Sequence, residues 1–450
     1  MNSALHHSNH RSAVSRQRGA ATLIIVMLLF FVVAMVAAYT SRNLIFEQRS
    51  SANQARSTQA LEAAEAGVQW TLAMLNGGRI DESCNLTADA TYSTFRARYI
   101  STIDGYSTVV LRNRSNGQPL MPACVYNAGT SQWSCQCAID SAASLPTVAG
   151  TEAKPMFRIR LMLLPAGARQ DVVNIVSVGC TRPDASCLDP DNPAAPAGDA
   201  MAVVTAMTAL KSSLVTPPGA AVTARVDISG GIGPLRGTNT DRATGGITFR
   251  AGSGISGVNP ISLAGSPGSK SILTNDPVLA GMSDGERMFA VVFGMPSSMY
   301  REQPGTVVIG CTGGCNAATV NDFAQKNPGR PLWVEGDLTV DGDIGAAFTT
   351  STPETQTLLD SEVPPTGPVT LIVNGQVTLT SGTVYGLLYA RASDWDRGAG
   401  TSSAVQGGLI AEGRLSGIGT QQVVYDPQIL TRLRTRHGTF VRVPGGWKDF

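Results

Sequence analysis

The sequence predicts an α+β fold in which a long N-terminal membrane-spanning helix precedes a small β-sheet region and a C-terminal β-rich, β-solenoid-like domain. Three observations carry that expectation. The run from Ala20 to Tyr39 holds no charged residue. Gly 48 and Pro 25 accompany only 6% aromatic residues, a balance that favours turns and short strands over a helical bundle. Beyond Ala220, short apolar runs recur between glycines. At 450 residues the chain is long enough for two or three domains.

Residues 1–19 read as a leader and 20–76 as one long helix, with the membrane span at 20–39. Before Tyr39 the span carries a single hydroxyl side chain, Thr22, and as a helix rising about 1.5 Å per residue it crosses roughly 30 Å of hydrocarbon. The leader holds Arg11, Arg16 and Arg18 and no acidic residue, so the positive-inside bias keeps the N-terminus cytoplasmic and places everything after Tyr39 outside. A secretory signal peptide has a shorter apolar region, with its small-residue cleavage site after that region. Here the basic leader ends in Gly19 directly before the apolar run.

Helix-forming sequence continues unbroken from Tyr39 to about Leu75. From Ala20 to Leu75 such a helix would be about 84 Å long, far more than a bilayer needs, so it must pack along something. Leu61, Ala64, Val68, Leu72 and Leu75 recur at spacings of three and four and predict a face packed on the chain's own globular part. The small residues Ala20, Ala21, Ala34, Ala37 and Ala38 allow close approach of other helices in the apolar half. Asn76-Gly77-Gly78 is the predicted stop.

Residues 79–188 alternate turn clusters with short strand-like runs. Phe157-Arg-Ile-Arg-Leu161 and Val172-Val-Asn-Ile-Val-Ser-Val178 flank a turn and predict a hairpin. Residues 189–219 read as a linker, with a short helix at Met201 to Leu214 that Pro217-Pro-Gly219 breaks. Residues 220–450 form the β-rich domain. Runs such as Leu332-Trp-Val-Glu-Gly-Asp-Leu-Thr-Val and Val369-Thr-Leu-Ile-Val-Asn-Gly-Gln-Val-Thr-Leu turn at glycine after four or five residues, as stacked rungs would. A β-sandwich also has short strands, but the irregular period and the lack of long alternating strands favour a solenoid.

Charge and histidine usage exclude several functions. Lys+Arg 34 nearly balance Asp+Glu 33, and removing the three leader arginines leaves 31 basic residues against 33 acidic, a poor surface for nucleic acid. Of four histidines, His6, His7 and His10 lie in the leader, which leaves His437, expected at the surface beside Arg432-Leu-Arg-Thr-Arg436. No nucleophile elbow accompanies it, and neither a catalytic residue nor a cofactor is expected. Gly252-Ser-Gly254-Ile-Ser-Gly257 matches a dinucleotide fingerprint in letters only, since strand-like sequence and not a helix follows. Asp337, Asp341 and Asp343 lack the spacing of an EF-hand and read as solvated turn carboxylates.

All eight cysteines lie beyond the span, an even number that points to disulfides in an oxidising compartment such as a bacterial periplasm. Zinc would need four thiolates kept reduced there, because histidine ligands are lacking, so no metal site is expected. Cys180 with Cys187, and Cys311 with Cys315, suit local pairing. Cys84, Cys124, Cys135 and Cys137 allow three pairings.

Arg16-Gln-Arg-Gly19, the apolar run and Ala60-Leu-Glu-Ala-Ala-Glu-Ala-Gly67 resemble the class III leader and helix of type IV pilin-like proteins, specifically PilX-type minor pilins. Val423 to Leu430 and Gly438 to Phe450 resemble the C-terminal region of the same family. The resemblance implies a pilin-like sheet after the helix. It also implies cleavage by a prepilin peptidase after Gly19 and methylation of the new N-terminus at Ala20. The helix would anchor the chain in the bacterial inner membrane, with the globular part periplasmic, and later join the pilus core. Implied partners are other minor pilins, the major pilin and a tip adhesin. The fifth mature position, usually Glu in pilins, is Ile24, and subunits lacking that Glu resemble those at a filament tip. The expected function is therefore a minor pilin-like structural component of type IV pilus assembly. The alternative is a minor pseudopilin of a type II secretion system. A third reading, a cell-surface hydrolase of polysaccharide, would use the carboxylates of Asp394-Trp-Asp396.

Overall fold

No proline interrupts Arg18–Leu75, and these residues form one 58-residue helix, α1. The computed structural model describes residues 18–102, 109–113, 117–138, 145–149, 154–164, 172–183, 199–347, 367–400 and 402–449. The chain divides into two units, Met1–Thr58 and Gln59–Phe450. In the first unit, the described side chains of α1 are all exposed. At the far end the helix closes as its Asn76-Gly77 stop predicts, with Asn76 N and Gly77 N donating to Ala73 O at 3.1 Å and Met74 O at 3.0 Å.

The second unit begins with the last turns of α1. Ala60, Ala64, Val68 and Leu75 are buried there, in one core with Phe157, Ile159, Val173, Ile175, Val204 and Phe440. Leu61 and Leu72 pack at its edge, so the expected stripe faces the globular part. Two glycines bring helix and sheet into backbone contact. A Cβ at Gly179 would stand 2.9 Å from Ala64 Cα and overlap Ala60 O, and one at Gly67 would stand 2.9 Å from Phe157 Cδ2.

After α1 come α2 (Phe95–Tyr99) and the hairpin β1 (Ile100–Thr102) and β2 (Val109–Leu111). The strands that cover α1 are β3 (Ala123–Asn127), β4 (Gln132–Gln136), β5 (Met156–Leu163), β6 (Val172–Cys180) and β7 (Met201–Ser212), with the last strand of the chain, Gly438–Asp449, completing a six-stranded sheet. β5 and β6 pair antiparallel, as the hairpin reading expects. β7 corrects the expected helix at Met201 to Leu214. Its Ala, Met and Leu are good helix formers, but Ala202, Val204, Ala206 and Thr208 alternate inward, and the strand has partners on both sides.

From residue 222 the pairing becomes parallel. The first turns of this part are β8 (Val222–Ala224), β9 (Ile228–Ser229), β10 (Leu235–Thr238), β11 (Phe249–Ala251), β12 (Ile255–Ser256), β13 (Val258–Ile261) and β14 (Ile272–Leu273). Three helices follow, α3 (Pro277–Ala280), α4 (Gly285–Phe293) and α5 (Ser297–Arg301). Then come β15 (Val307–Gly310), β16 (Cys315–Asn316), α6 (Ala317–Lys326), β17 (Leu332–Glu335), β18 (Leu338–Val340), β19 (Val369–Asn374), β20 (Val377–Leu379), β21 (Thr383–Ala390), β22 (Asp394–Asp396), β23 (Ala404–Ala411), β24 (Arg414–Ser416), β25 (Gln422–Tyr425), α7 (Pro427–Arg436) and β26 (Gly438–Asp449).

The strands of this part form one eleven-stranded sheet with the path β13-β10-β25-β23-β21-β19-β17-β15, and two narrower sheets, β12-β9-β24-β22 and β16-β18-β20. Glycine marks the corner between wide and narrow sheets because stacked turns touch there. A Cβ at Gly375 would lie 2.8 Å from Asp337 Oδ1 of the turn it stacks on and would overlap Gly336 O. The central strands are buried on both faces, which accounts for continuous apolar runs such as Gly386-Leu-Leu-Tyr-Ala390. Leu371, Val373, Leu388 and Leu409 point into the stack, while Trp333, Ile372, Leu387 and Tyr389 meet Phe289 and Phe293 of α4 and Leu430 and Leu433 of α7.

A β-solenoid is not found as such. α3–α5 interrupt the succession of rungs, and order in space departs from order in the chain, since β8 pairs with β23 and β10 with β25. The expected boundary near residue 220 is also crossed, because β26 returns to pair with β7.

Candidate functional site

From Ala21 to Tyr39 the chemistry of α1 is that of a surface without charge. Leu23 is 64% exposed, Ile24 59% and Phe30 74%, and the apolar side chains face every direction around the helix. By length and composition this is the one helix among the described residues suited to cross a membrane. Arg18, Gly19 and Ala20 lie in the first turn of α1, and residues 1–17 of the leader lie outside the described residues. Ile24 stands in a wholly apolar neighbourhood of its own helix. Past the apolar run, Arg42, Arg49 and Arg56 recur every seven residues, a spacing that keeps three guanidinium groups on one face. The sequence reading missed this stripe, although its period is legible.

In the second unit, the junction between α1 and the chain's last strand is polar and buried. Arg96 donates from Nη2 to Leu75 O at 3.2 Å and to Gly438 O at 2.7 Å, and its guanidinium carbon stands 4.9 Å from the Phe440 ring centroid. A cation on the last carbonyls of a helix opposes the negative end of its dipole. Burial, then the neighbouring Arg330, lowers the Arg96 guanidinium to about 9. His437 sits in the same junction, which corrects its expected surface position: it is 6% exposed. Burial first, then Arg432, Arg96 and Arg436, holds its imidazole down to about 3, so it is neutral at physiological pH.

The seven described cysteines are bonded. Cys84 pairs with Cys137, Cys124 with Cys135 and Cys311 with Cys315. Cys180 is also disulfide-bonded, while Cys187 lies outside the described residues. Cys124 and Cys135 are direct partners across β3 and β4, and Cys84–Cys137 ties the segment after α1 to the end of β4.

The carboxylates serve the fold. Asp337, Asp341 and Asp343 diverge, each accepting one backbone N–H: Gln376 N at 2.8 Å, Ala317 N at 3.0 Å and Thr383 N at 2.7 Å. Asp394 and Asp396 are exposed on β22; Asp394 faces Arg414 at 3.9 Å, and Asp396 accepts from Gly398 N at 2.9 Å. Gly252 to Gly257 connects β11 to β12 and leads into β13, with no helix N-terminus for a pyrophosphate.

A partly buried ionic network follows the ends of the parallel strands. Arg391 Nε donates to Glu412 Oε1 at 3.0 Å, Arg391 pairs with Glu286 of α4, and Tyr389 Oη donates to Glu412 Oε1 at 3.0 Å. Burial raises Glu412 against the pull of Arg391, and burial also holds the Tyr389 hydroxyl protonated. With its carboxylates committed to arginine and tyrosine, the network fastens α4 to the sheet. Among the described residues, no cluster of three or more His, Cys, Asp and Glu side chains could hold a metal ion.

A groove of about 400 Å³ in the second unit lies between Glu62, Glu65, Val68 and Gln69 of α1 and Arg442 and Trp447 of β26. Its two carboxylates and its guanidinium form no ion pair among the described residues.

Residues 18–69 match the family described as PilX N-terminal. No curated protein sequence matches the chain. Among solved structures, the chain is similar to the competence-associated pilin ComZ from Thermus thermophilus, at 12% identity over 88% of this chain and 98% of that one. The TM-score is 0.19, too low for the two shapes to carry an argument.

Proposed function

We propose that the chain is a minor pilin-like structural subunit that takes part in type IV pilus assembly at or near the filament tip. The observation that carries this reading is the charge-free, fully exposed stretch of α1 around Ile24, continuous in one helix with the residues that pack on the globular sheet. The match of residues 18–69 to the PilX N-terminal family supports it. On this reading, a prepilin peptidase removes the leader after Gly19, and the new N-terminus at Ala20 is methylated. The helix leaves the bilayer when its apolar surface is covered by the helices of other minor pilins and the major pilin, which offsets the lost lipid contact.

Ile24 supports the proposed tip position. A carboxylate there would meet the positive N-terminus of a neighbour in an apolar setting, where an unpaired charge costs several kcal/mol. This chain offers no such partner, while its own Ala20 amine can pair with a Glu of another subunit. The subunit should therefore be scarce. Sheared filaments are expected to contain it far below the major subunit, and its deletion should reduce the number of pili without changing the filament repeat. An amount comparable to the major subunit overturns the tip assignment.

A further inference from the structure

The last strand of the chain leaves its ladder at one place. On β26, Arg442 pairs with Thr208 of β7 and Trp447 with Ala206, so Val443-Pro-Gly-Gly446 is extruded opposite Met207. An excursion of this kind re-aims the side chains at its ends. Paired residues share a face of the sheet, and Ala206 and Phe440 lie in the core beneath α1, so Arg442 and Trp447 stand side by side on the face toward the helix. The neck of the excursion closes because Gly446 lies against Met207, whose Cβ would be 2.7 Å from a Cβ at that position.

α1 supplies the opposite wall. Glu62, Glu65 and Gln69, at spacings of three and four, share one exposed face and span about 10 Å of helix. Among the described residues, no hydrogen bond or ion pair engages these three side chains, the Arg442 guanidinium or the Trp447 indole N–H. The enclosed groove of about 400 Å³ lies within the range of small-molecule sites, about 300–1,000 Å³.

Each wall asks for a different part of a ligand. Carboxylates spaced like Glu62 and Glu65 repel each other, and a cation between them relieves the repulsion. Arg442 across the groove meets a ligand that is only cationic as a like charge, so the ligand must also bring acceptors. Hydroxyl groups accept from Arg442 and exchange hydrogen bonds with the Gln69 amide. The indole of Trp447, 41% exposed, stacks on the C–H face of a saturated ring and attracts an ammonium beside it. We propose that the groove binds an amine-bearing sugar ring of a surface polysaccharide. A neutral sugar leaves the two carboxylates unpaired, and an acidic one adds a third negative charge. The proposal goes beyond the pilus reading and does not rest on it, since every residue of the groove belongs to the second unit.

Isothermal titration calorimetry of the full chain tests it, in micelles of a detergent without a sugar headgroup and in mildly acidic buffer, where sugar amines are charged. A β-1,4-linked glucosamine tetramer should bind saturably. Its N-acetylated form, with the same rings but capped amines, should bind roughly tenfold more weakly or worse, and a galacturonate tetramer and spermine should give no saturable heat. Trp447→Ala and Glu62→Gln/Glu65→Gln should each weaken the glucosamine tetramer by about tenfold or more. The carboxylates are exposed, so the double variant keeps the wild-type unfolding midpoint and reports on the groove alone. A wild-type chain that gives no heat with the glucosamine tetramer, equal binding of spermine or of the N-acetylated tetramer, or variants that bind like wild type each overturns the proposal. None of these outcomes bears on how many copies a pilus contains, so the two readings fail separately.

Discussion

Asn76 and Phe440, 364 positions apart, pair through both backbone groups of Phe440: Asn76 Nδ2 donates to Phe440 O at 2.9 Å, and Phe440 N donates to Asn76 Oδ1 at 2.8 Å. The side-chain amide stands in for a neighbouring strand on the edge of β26 that faces away from β7. The residue that ends α1 thereby holds the returning end of the chain. Asn76→Ala would leave two buried backbone groups without partners and should destabilise the second unit by about 2–4 kcal/mol. Denaturant unfolding of the full chain in detergent, followed by tryptophan fluorescence, measures the loss.

Gly179→Ala tests the contact between α1 and the sheet. The added methyl would press on the helix backbone at Ala60 and Ala64, where no flexible side chain can yield. Overpacking of this kind costs about 1–3 kcal/mol or more. The expected result is a lower unfolding midpoint with an unchanged slope, and a change of less than a few tenths of a kcal/mol would mean that helix and sheet separate readily.

These contacts mark the limit of what the sequence alone makes legible. The long apolar helix, the Ala64–Val68–Leu75 face and the β5–β6 hairpin rest on local pattern, which needs no knowledge of distant partners. β7 reads as a helix because its Ala, Met and Leu favour one, and only its pairing with β6 and β26 decides for a strand. His437 reads as a surface residue because Arg432, Arg434 and Arg436 precede it closely in the chain, yet only Arg434 is exposed, while Arg432 and Arg436 act with Arg96 on the buried imidazole. The Arg42–Arg49–Arg56 period is legible in the sequence. The groove is not, because Arg442 and Trp447 meet Glu62 and Glu65 only through the fold.

The disulfides predict a thiol count and a stability difference. Alkylation of denatured protein without reductant should find no free thiol, and eight reactive thiols would overturn the assignment to an oxidising compartment. Cys84–Cys137 closes a loop of sequence separation 53, and replacing both residues with serine should cost about 4 kcal/mol on the chain-entropy estimate.

His437 makes stability depend on pH in a stated direction. Its folded value of about 3 lies below its ordinary value of 6.5, so the unfolded chain takes up a proton that the native chain refuses. Its contribution is fully present above pH 6.5 and is lost as pH falls toward 3, with a limiting slope of about 1.4 kcal/mol per pH unit. His437→Gln cannot titrate there and should flatten the stability profile between pH 6 and pH 4. An unchanged profile would show that other groups set the acid limb.

Processing after Gly19 is the proposed step on which membrane release depends, and Gly19→Val tests it without disturbing the fold. α1 begins at Arg18 and runs through this position, and a β-branched residue so near the free end of a helix costs only a few tenths of a kcal/mol. Valine does, however, replace a small residue at the membrane face with one whose branched carbon crowds the adjacent peptide bond. Expression of the variant beside a prepilin peptidase should leave the larger, unprocessed form in the inner membrane, while Gly19→Ala should still be shortened. The N-terminal sequence of the mature wild-type chain should begin at Ala20. Normal maturation of the valine variant would mean that the leader is not read at Gly19, and the assignment of residues 1–19 as a class III leader would fall with it.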